Sequence, residues 1–165
     1  MSWKTGWVFA VVAMTVVSPA HGLCIYHGVD NAKTTLEQEF RDSRWVVRAK
    51  VLSAKDRWLD EGDSWTIYEL EVLHDYKGKP PKRLRFFTYR DSGGFYMDRP
   101  WVDLPAGHDV GGEYLLFLDR FPAQHGAPRA AKGAVFVNYN CGVSARWPEV
   151  RQSDRRLLAK LERNR

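Results

Sequence analysis

Two stretches decide the fold of this chain: Trp45-Val-Val-Arg-Ala-Lys-Val-Leu52 and Thr66-Ile-Tyr-Glu-Leu-Glu-Val-Leu73. Apolar and charged side chains alternate in both, which is the period of a β-strand with one buried and one solvated face. The segment between them is charged and contains Gly62, so a loop is predicted to join the two strands as antiparallel neighbours. The side chains predicted to face inward are Val47, Ala49, Val51, Tyr68, Leu70 and Val72.

Three further strands and two helices are predicted from the remaining patterns. Residues 84–89 alternate, residues 113–118 are apolar on both faces, and residues 134–139 form the last strand. A short helix is predicted from a cap at Asp30-Asn31 through Arg41, and an amphipathic helix from Pro148 to Leu161. The count and order predict a mainly β fold, a five-stranded OB-fold-like barrel with a short N-terminal helix and a C-terminal helix. A β-sandwich is the alternative, because periodicity alone does not separate the two.

The longest irregular stretch, residues 90–112, is a candidate binding loop because loops of this length in a compact domain often carry function. Its aromatic side chains either anchor a partner or cap the mouth of the barrel, and they are Phe95, Tyr96 and Trp101. Outward-facing Phe87 and Tyr89 slightly favour a partner interface. Four aspartates are predicted to be solvated loop acids rather than a calcium site, since they lack calcium-loop spacing, and they are Asp91, Asp98, Asp103 and Asp109.

The N-terminus has the pattern of a secretory signal peptide: Lys4, an apolar run from Trp7 to Val17, and a small-residue exit. Residues 1–22 are predicted to be the signal peptide and residues 23–165 a single domain. Cleavage after Ala20 and cleavage after Gly22 both fit. A secreted or periplasmic location follows, and in an oxidising compartment the two cysteines, Cys24 and Cys141, are predicted to form one disulfide.

No catalytic motif was found among nucleophile elbows, His-Glu-x-x-His zinc motifs, Walker loops and dinucleotide fingerprints. We therefore predict a protein that is not an enzyme, with no cofactor and no metal. The histidines are scattered, and His74, on the predicted inward face, is interpreted as a hydrogen-bonded structural residue. The alternative is a copper-dependent secreted enzyme: cleavage after Ala20 would expose the amine and imidazole of His21 to the metal.

Charge says little about the partner. The net charge is +5, and basic residues are concentrated only at 77–85 and in the tail 151–165. The tail is interpreted as the solvated face of the last helix, with contact to an anionic glycan or a membrane surface as a weaker option. Nucleic acid is not an expected partner for an exported chain.

The order of several short pieces resembles the netrin-like domain, the OB-fold family that includes the tissue inhibitors of metalloproteinases and many short bacterial secreted proteins. The pieces are a starting cysteine, Val46-Val47-Arg-Ala-Lys-Val51, Tyr68 to Tyr76-Lys77-Gly78, Phe87-Thr88-Tyr89, Gly111-Gly112-Glu113-Tyr114-Leu115, a closing Cys141 and Trp147-Pro148. They span nearly the whole predicted domain, so the resemblance implies a netrin-like barrel.

The resemblance also implies a function and its limits. In the inhibitors a Cys-x-Cys terminus chelates the protease zinc; here Cys24 corresponds to the second cysteine, bonded to Cys141, while Gly22 stands at the first. The expected function is non-catalytic binding of an extracytoplasmic protein such as a zinc protease, without that chelating terminus. A purely structural module is a further alternative. The candidate partner-binding residues are Leu23, Ile25, Tyr26, His27, Tyr89, Ser92, Phe95 and Tyr96.

Overall fold

A computed structural model describes residues 25–26, 29–30, 34–60, 63–90, 94–122, 126–138 and 142–164. The elements in chain order are β1 (Ile25–Tyr26), β2 (Val29–Asp30), α1 (Leu36–Asp42), β3 (Trp45–Arg57), β4 (Trp65–Lys77), β5 (Arg83–Tyr89), β6 (Glu113–Arg120), a 3₁₀ turn (Arg129–Ala131), β7 (Val135–Phe136), β8 (Ala145–Arg146), a second 3₁₀ turn (Trp147–Glu149) and α2 (Gln152–Arg163). The predicted signal peptide with His21, and both cysteines of the predicted disulfide, Cys24 and Cys141, lie outside the described residues.

Five strands, β3 to β7, close into a barrel. β3 pairs antiparallel with both β4 and β6, and β4 pairs antiparallel with β5. β7 runs parallel to β5 and antiparallel to β6, so the order around the barrel is β3-β4-β5-β7-β6 and back to β3. The predicted five-stranded barrel with one short helix near the N-terminal region and one C-terminal helix is therefore confirmed, and its strand order fits the OB-fold. β8 extends the sheet beside β6.

The barrel interior is the main hydrophobic core, and it contains the side chains that alternation placed inward. Five of the six predicted residues are fully buried and Val72 is partly buried against them. β6 is covered on both faces as predicted: Leu116 and Leu118 lie in the interior, whereas Leu115 and Phe117 lie on the outer face beneath the helices. Burial of such side chains contributes about 2 kcal/mol each, so this cluster supplies most of the driving force for folding.

The two helices pack on the outer face of β3 and β6. Phe40 of α1 and Leu158 of α2 share one buried cluster with Val46 and Phe117. The predicted cap at Asp30-Asn31 is wrong, because α1 begins at Leu36 and its N-cap is Thr35, whose hydroxyl oxygen accepts a bond from the Gln38 amide at 3.2 Å. α2 likewise begins later than predicted, at Gln152, after the 3₁₀ turn that contains Pro148.

Two register shifts decide which side chains reach the interior beyond the predicted strands. β3 continues past Leu52, and a shift between Val51 and Ser53 places Ala54 opposite Tyr68 and Asp56 opposite Thr66. A bulge of this kind inserts one residue and moves every later side chain to the other face of the strand. Asp56 is thereby brought to the inner face of the barrel end.

The second shift, between Arg48 and Ala49 of β3, places the extra residue in β4 and moves a side chain from the inner face to the outer face. Ala49 pairs with Val72 and Arg48 with His74, so Leu73 is the extra residue. The prediction that His74 continues the inward face is therefore wrong. His74 is exposed on the outer face, where its Nε2 lies 3.1 Å from Glu162 Oε1 of α2.

The last barrel strand is shorter than predicted, since β7 contains two residues rather than the stretch 134–139. Phe87 does point away from the barrel interior, but it is only 1% exposed because Ala131 and Ala134 cover it. It is therefore not available as the surface residue that the sequence suggested. No helix in the described part of the chain is long and apolar enough to cross a membrane.

Candidate functional site

One end of the barrel collects the end of β3, the start of β4 and the end of β5. Arg57 pairs with Trp65, and Trp65 pairs with Tyr89, which fixes these three strand ends side by side. The long loop is attached to the same region, because the Gly111 amide donates to the Val51 carbonyl at 2.8 Å and the Val51 amide donates to the Gly112 carbonyl at 2.9 Å. Any function of the loop therefore belongs to this end of the barrel.

A buried set of polar side chains joins the loop to the barrel. We call it the barrel-end network, and its members are Asp56, Thr66, Tyr68, Arg90, Asp98 and His108. His108 stands at its centre: Nδ1 lies 2.8 Å from Asp98 Oδ1, and Nε2 lies 2.9 Å from Asp56 Oδ2. Its side chain is 4% exposed. The ring of His108 therefore bridges a carboxyl group of β3 and a carboxyl group of the long loop.

Asp98 receives more hydrogen bonds than any other member of the network. Besides His108, its carboxylate accepts a bond from the Tyr68 hydroxyl at 2.9 Å and one from Arg90 Nη1 at 2.5 Å. Burial by itself would raise the pKa of Asp98, but the bonds from Arg90, His108 and Tyr68 outweigh it and hold that pKa below its usual value. The carboxylate therefore stays ionised at neutral pH and anchors the loop to the barrel wall.

Thr66 and Arg90 complete the network from the strands. The Thr66 hydroxyl donates to Asp56 Oδ1 at 2.6 Å and accepts a bond from Arg90 Nε, also at 2.6 Å. Burial raises the pKa of Tyr68, so its hydroxyl keeps its proton and remains a donor. Three strand ends and the loop are thus held by charge-assisted hydrogen bonds, the strongest kind available to side chains.

The hydrogen bonds of the barrel-end network are better suited to holding the neighbouring loops in place than to catalysis. Both nitrogens of His108 are occupied by carboxylates, so neither is left to take a proton from a substrate. Within the described residues, no group of three or more histidine, cysteine, aspartate or glutamate side chains is arranged to hold a metal ion. The network can hold two neighbouring loops in one position, namely the long loop 90–112 and the 58–64 loop between β3 and β4.

Those two loops carry most of the large apolar side chains that are exposed on the described surface. We call these five side chains the loop rim. Their exposed fractions are 56% for Trp58, 40% for Leu59, 102% for Trp101, 43% for Val102 and 59% for Val110. The 58–64 loop is tied at its base, since the Leu59 amide donates to Ser64 Oγ at 3.1 Å and the Arg90 amide to the Ser64 carbonyl at 2.7 Å. The rim is thus a set of apolar tips on anchored loops.

Trp101 is the most unusual residue of the loop rim. It is fully exposed, and its φ of 65° lies in the left-handed region that side chains other than glycine rarely adopt. Neighbouring backbone bonds fix the turn, because the Gly107 amide donates to the Asp103 carbonyl at 2.8 Å and the Arg99 amide to the Gly107 carbonyl at 2.6 Å. An exposed indole in a strained conformation is a feature of binding loops rather than of packing.

Three of the candidate residues from the sequence, Tyr89, Phe95 and Tyr96, lie at or near this end, and their described contacts are within the protein. Phe95 packs against Phe86 of the core at 6.2 Å between ring centroids. The Tyr96 hydroxyl donates to the Arg90 carbonyl at 3.0 Å and accepts a bond from the Gly94 amide at 2.8 Å. Tyr89 stacks edge-on with Phe87 at 4.9 Å. Ile25 and Tyr26 form β1; Leu23, His27 and Ser92 lie outside the described residues.

The prediction that the loop aspartates are solvated is wrong for two of them. Asp98 belongs to the barrel-end network, and Asp109 is buried, where it accepts bonds from the Tyr114 hydroxyl at 2.8 Å and from Arg146 Nε at 3.0 Å. Asp103 is exposed as predicted, and Asp91 lies outside the described residues.

Sequence reasoning missed the members of the site that come from distant parts of the chain, namely Asp56, Trp58, Arg90 and His108. The signal that could have been used is an arginine directly after a predicted strand, facing a loop with both a histidine and acids. The face of Asp56 has no local signal, since it depends on the bulge in β3.

Comparison with known proteins adds no relative to these observations. No protein-family model matches the chain, and no curated protein matches it.

Proposed function

We propose that this protein is an exported, non-catalytic binding module that contacts an extracytoplasmic protein through the loop rim. The observation that carries the proposal is Trp101, fully exposed with φ 65° on a loop whose base is held by the barrel-end network. Exposing an indole to water forfeits about 2 kcal/mol of burial energy, which a partner recovers when it covers the ring. A preformed loop also loses little conformational entropy on binding.

The composition of the loop rim supports a protein partner. Tryptophan is enriched among the residues that dominate the affinity of protein interfaces, and such residues are surrounded by a polar border. Around the rim the exposed charges are of both signs and balance one another: Lys55, Arg57, Asp60, Asp63, Arg99 and Asp103. A strongly basic surface would favour an anionic membrane or glycan, whereas this mixed border with apolar anchors favours a folded protein.

The resemblance to the metalloproteinase inhibitors makes zinc proteases the first partners to test. The chelating Cys-x-Cys terminus has no counterpart, since Gly22 stands at its first position. Binding would therefore depend on the loop rim and on the segment from Leu23 to His27, and would not require access to the catalytic zinc. This proposal includes the sequence-based candidates Tyr89, Phe95 and Tyr96, which lie at the same end of the barrel.

The experiment compares Trp101→Ala with a matched control, Leu73→Ala, which removes an exposed apolar side chain from the far half of β4. Extracytoplasmic proteins captured by the immobilised wild type would be identified by mass spectrometry. The purified partner, and a panel of zinc proteases, would then be measured by biolayer interferometry. Loss of an interface anchor costs about 2 kcal/mol, so Trp101→Ala should weaken binding about 30-fold while Leu73→Ala leaves it unchanged.

Two results would refute the proposal. One is equal affinity of both variants for every partner, which would place the contact elsewhere. The other is failure of the wild type to retain any extracytoplasmic protein at micromolar concentration, which would favour a purely structural module. Since Trp101 is fully exposed, its removal is not expected to change the free energy of unfolding, and a urea titration verifies that the variant is folded.

A further inference from the structure

A groove with a volume of about 570 Å³ lies on the helical side of the barrel, away from the loop rim. The start of α1, the strand β8 with residue 143, and the start of α2 form its walls. We call it the helix groove. Its floor is apolar and consists of Leu36, Leu115, Val143, Ala145, Val150 and Leu157. Ligand sites in proteins have volumes of about 300 to 1,000 Å³ with mostly apolar linings, and the helix groove lies within that range.

The described residues do not fully cover the floor. Leu115 and Val150 are buried, but Leu36, Val143 and Leu157 are each only half-buried at the surface of the groove. Apolar surface left in contact with water costs about 25 cal/mol per Å², so an apolar side chain of a partner would be stabilised here.

The rim of the groove is acidic. Glu37 of α1 and Glu149 of the second 3₁₀ turn are exposed in its lining, and Asp154 of α2 is half-buried there. Among the described residues of the lining Arg151 is the only basic one, and its Nε is paired with Asp154 Oδ2 at 3.1 Å. The two glutamates have no ion pair with a described lining residue; Arg146 of β8 interacts with Glu149 at longer range but is itself paired with Asp109. Both lie beside an apolar floor, on a chain whose net charge is +5.

We propose that the helix groove binds a basic, amphipathic segment of a partner protein. Apolar side chains of that segment would cover the floor, and its lysine or arginine side chains would pair with Glu37 and Glu149. This is a second surface, separate from the loop rim, and it does not depend on the function proposed for that rim. The charge pattern selects the occupant. An acidic segment would make the same apolar contact but would be repelled by the two glutamates, and a neutral segment would gain nothing from them.

The probe is a synthetic 12-residue amphipathic peptide of leucine and lysine, with a leucine and glutamate peptide of the same pattern as its counterpart. Binding is followed by fluorescence anisotropy at 50 mM and 500 mM salt. The lysine peptide should bind, and raising the salt should weaken it, because exposed ion pairs are screened. The double variant Glu37→Gln/Glu149→Gln should bind it about 10-fold more weakly, since it removes two ion pairs and each exposed pair contributes only modestly to affinity. The matched control is Glu71→Gln, an exposed charge on β4.

A second measurement locates the peptide. In methyl NMR spectra the lysine peptide should shift Leu36, Val143 and Leu157 and leave Leu73 unchanged. The proposal is overturned by equal binding of the two peptides, by no binding at 1 mM, or by equal affinity of the double variant and Glu71→Gln. It is also overturned if these methyl groups move with protein concentration alone, because the occupant would then be a second copy of the chain.

Discussion

His108 shows how a single residue joins distant parts of the chain. It contacts Asp56 of β3 through one ring nitrogen and Asp98 of the loop through the other, and Arg90 lies against the same carboxylates. Two basic and two acidic side chains thus meet inside a region that water barely reaches. In such a network each member offsets the burial cost of its neighbours, so removing one leaves an uncompensated charge.

We predict that His108→Leu lowers the free energy of unfolding by about 3 kcal/mol or more, since it removes a hydrogen-bond partner from each of two carboxyl groups in the barrel-end network. Urea denaturation measures the change. His74→Leu is the matched control, because His74 pairs with Glu162 at the surface, where a pair contributes at most about 1 kcal/mol. Similar losses in the two variants would show that the barrel-end network does not stabilise the fold.

The strands show which parts of the architecture could be predicted from sequence. Alternation identified β3, β4 and β5 and assigned their core residues correctly as far as Val51 and Val72, because a period of two is imposed by the backbone itself. Beyond those points each strand contains a register shift, and one inserted residue reverses the faces. His74 was misplaced for this reason, since nothing in the local pattern marks a bulge, whereas Asp56 was predicted to lie in the loop because the charged end of β3 does not alternate.

The turn from β4 to β5 depends on one glycine. Gly78 has a φ of 75°, and a Cβ at this position would lie 2.4 Å from Trp45 Cδ1 and 2.9 Å from the Arg44 carbonyl oxygen. Gly78→Ala therefore imposes both backbone strain and a steric clash. Gly133 has a similar φ of 73° but open space around it, so Gly133→Ala imposes the strain alone.

We predict losses of unfolding free energy of about 1 kcal/mol for Gly133→Ala and about 3 kcal/mol for Gly78→Ala. Thermal unfolding of the two variants beside the wild type provides the comparison. If both alanine variants melt at the same temperature, the crowding at Trp45 is relieved at no cost and the turn is not constrained by it.

The helix α1 places a carboxyl group inside the protein. Glu39 is 3% exposed; its Oε2 accepts a bond from the Val143 amide at 2.6 Å, and its Oε1 is buried without a hydrogen-bond partner among the described residues. Burial raises the pKa of Glu39 from 4.5 to about 7; the Val143 amide lowers it, and the nearby charges of Asp119 and Asp42 raise it. The neutral acid is therefore the form that the folded protein prefers.

The sign of the resulting pH dependence follows from linkage. Since the pKa of Glu39 is higher in the folded state than in the unfolded chain, its contribution to stability is full below pH 4.5 and is lost as the pH rises through about 7. We predict that the loss between pH 5 and pH 8 amounts to about 3 kcal/mol at most. Urea titrations at several pH values should show it in the wild type and not in Glu39→Gln. Glu37→Gln, on the exposed side of α1, should keep the wild-type pH dependence of the unfolding free energy. If Glu39→Gln showed that same pH dependence, Glu39 would not be its source.

At the scale of the whole molecule, the fold and the site differ in how far sequence reveals them. The count and order of the strands, which hydrophobic patterns indicate, favoured a five-stranded barrel, although periodicity alone does not separate a barrel from a β-sandwich. The barrel-end network joins Asp56 to His108 across 52 positions of the chain, and long-range polar pairs leave no periodic trace. The exposure of Trp101 is likewise a property of the assembled loops, since the sequence allowed either an anchor or a cap.

The predicted Cys24–Cys141 disulfide, which lies outside the described residues, also belongs to the scale of the whole molecule. A bond between these positions would close a loop of more than 100 residues, and the chain-entropy estimate for such a loop is about 4 to 5 kcal/mol of stabilisation.

We predict that the oxidised, exported protein has a mass 2 Da below the dithiol form and that Cys141→Ser lowers the unfolding free energy by about 4 kcal/mol. Intact-mass spectrometry and urea denaturation test both statements, and N-terminal sequencing of the same sample identifies the cleavage site. The wild type treated with reductant serves as the control, because it should match Cys141→Ser in stability while retaining both thiols. A wild type whose mass and stability are unaffected by reductant would show that the two cysteines are not bonded.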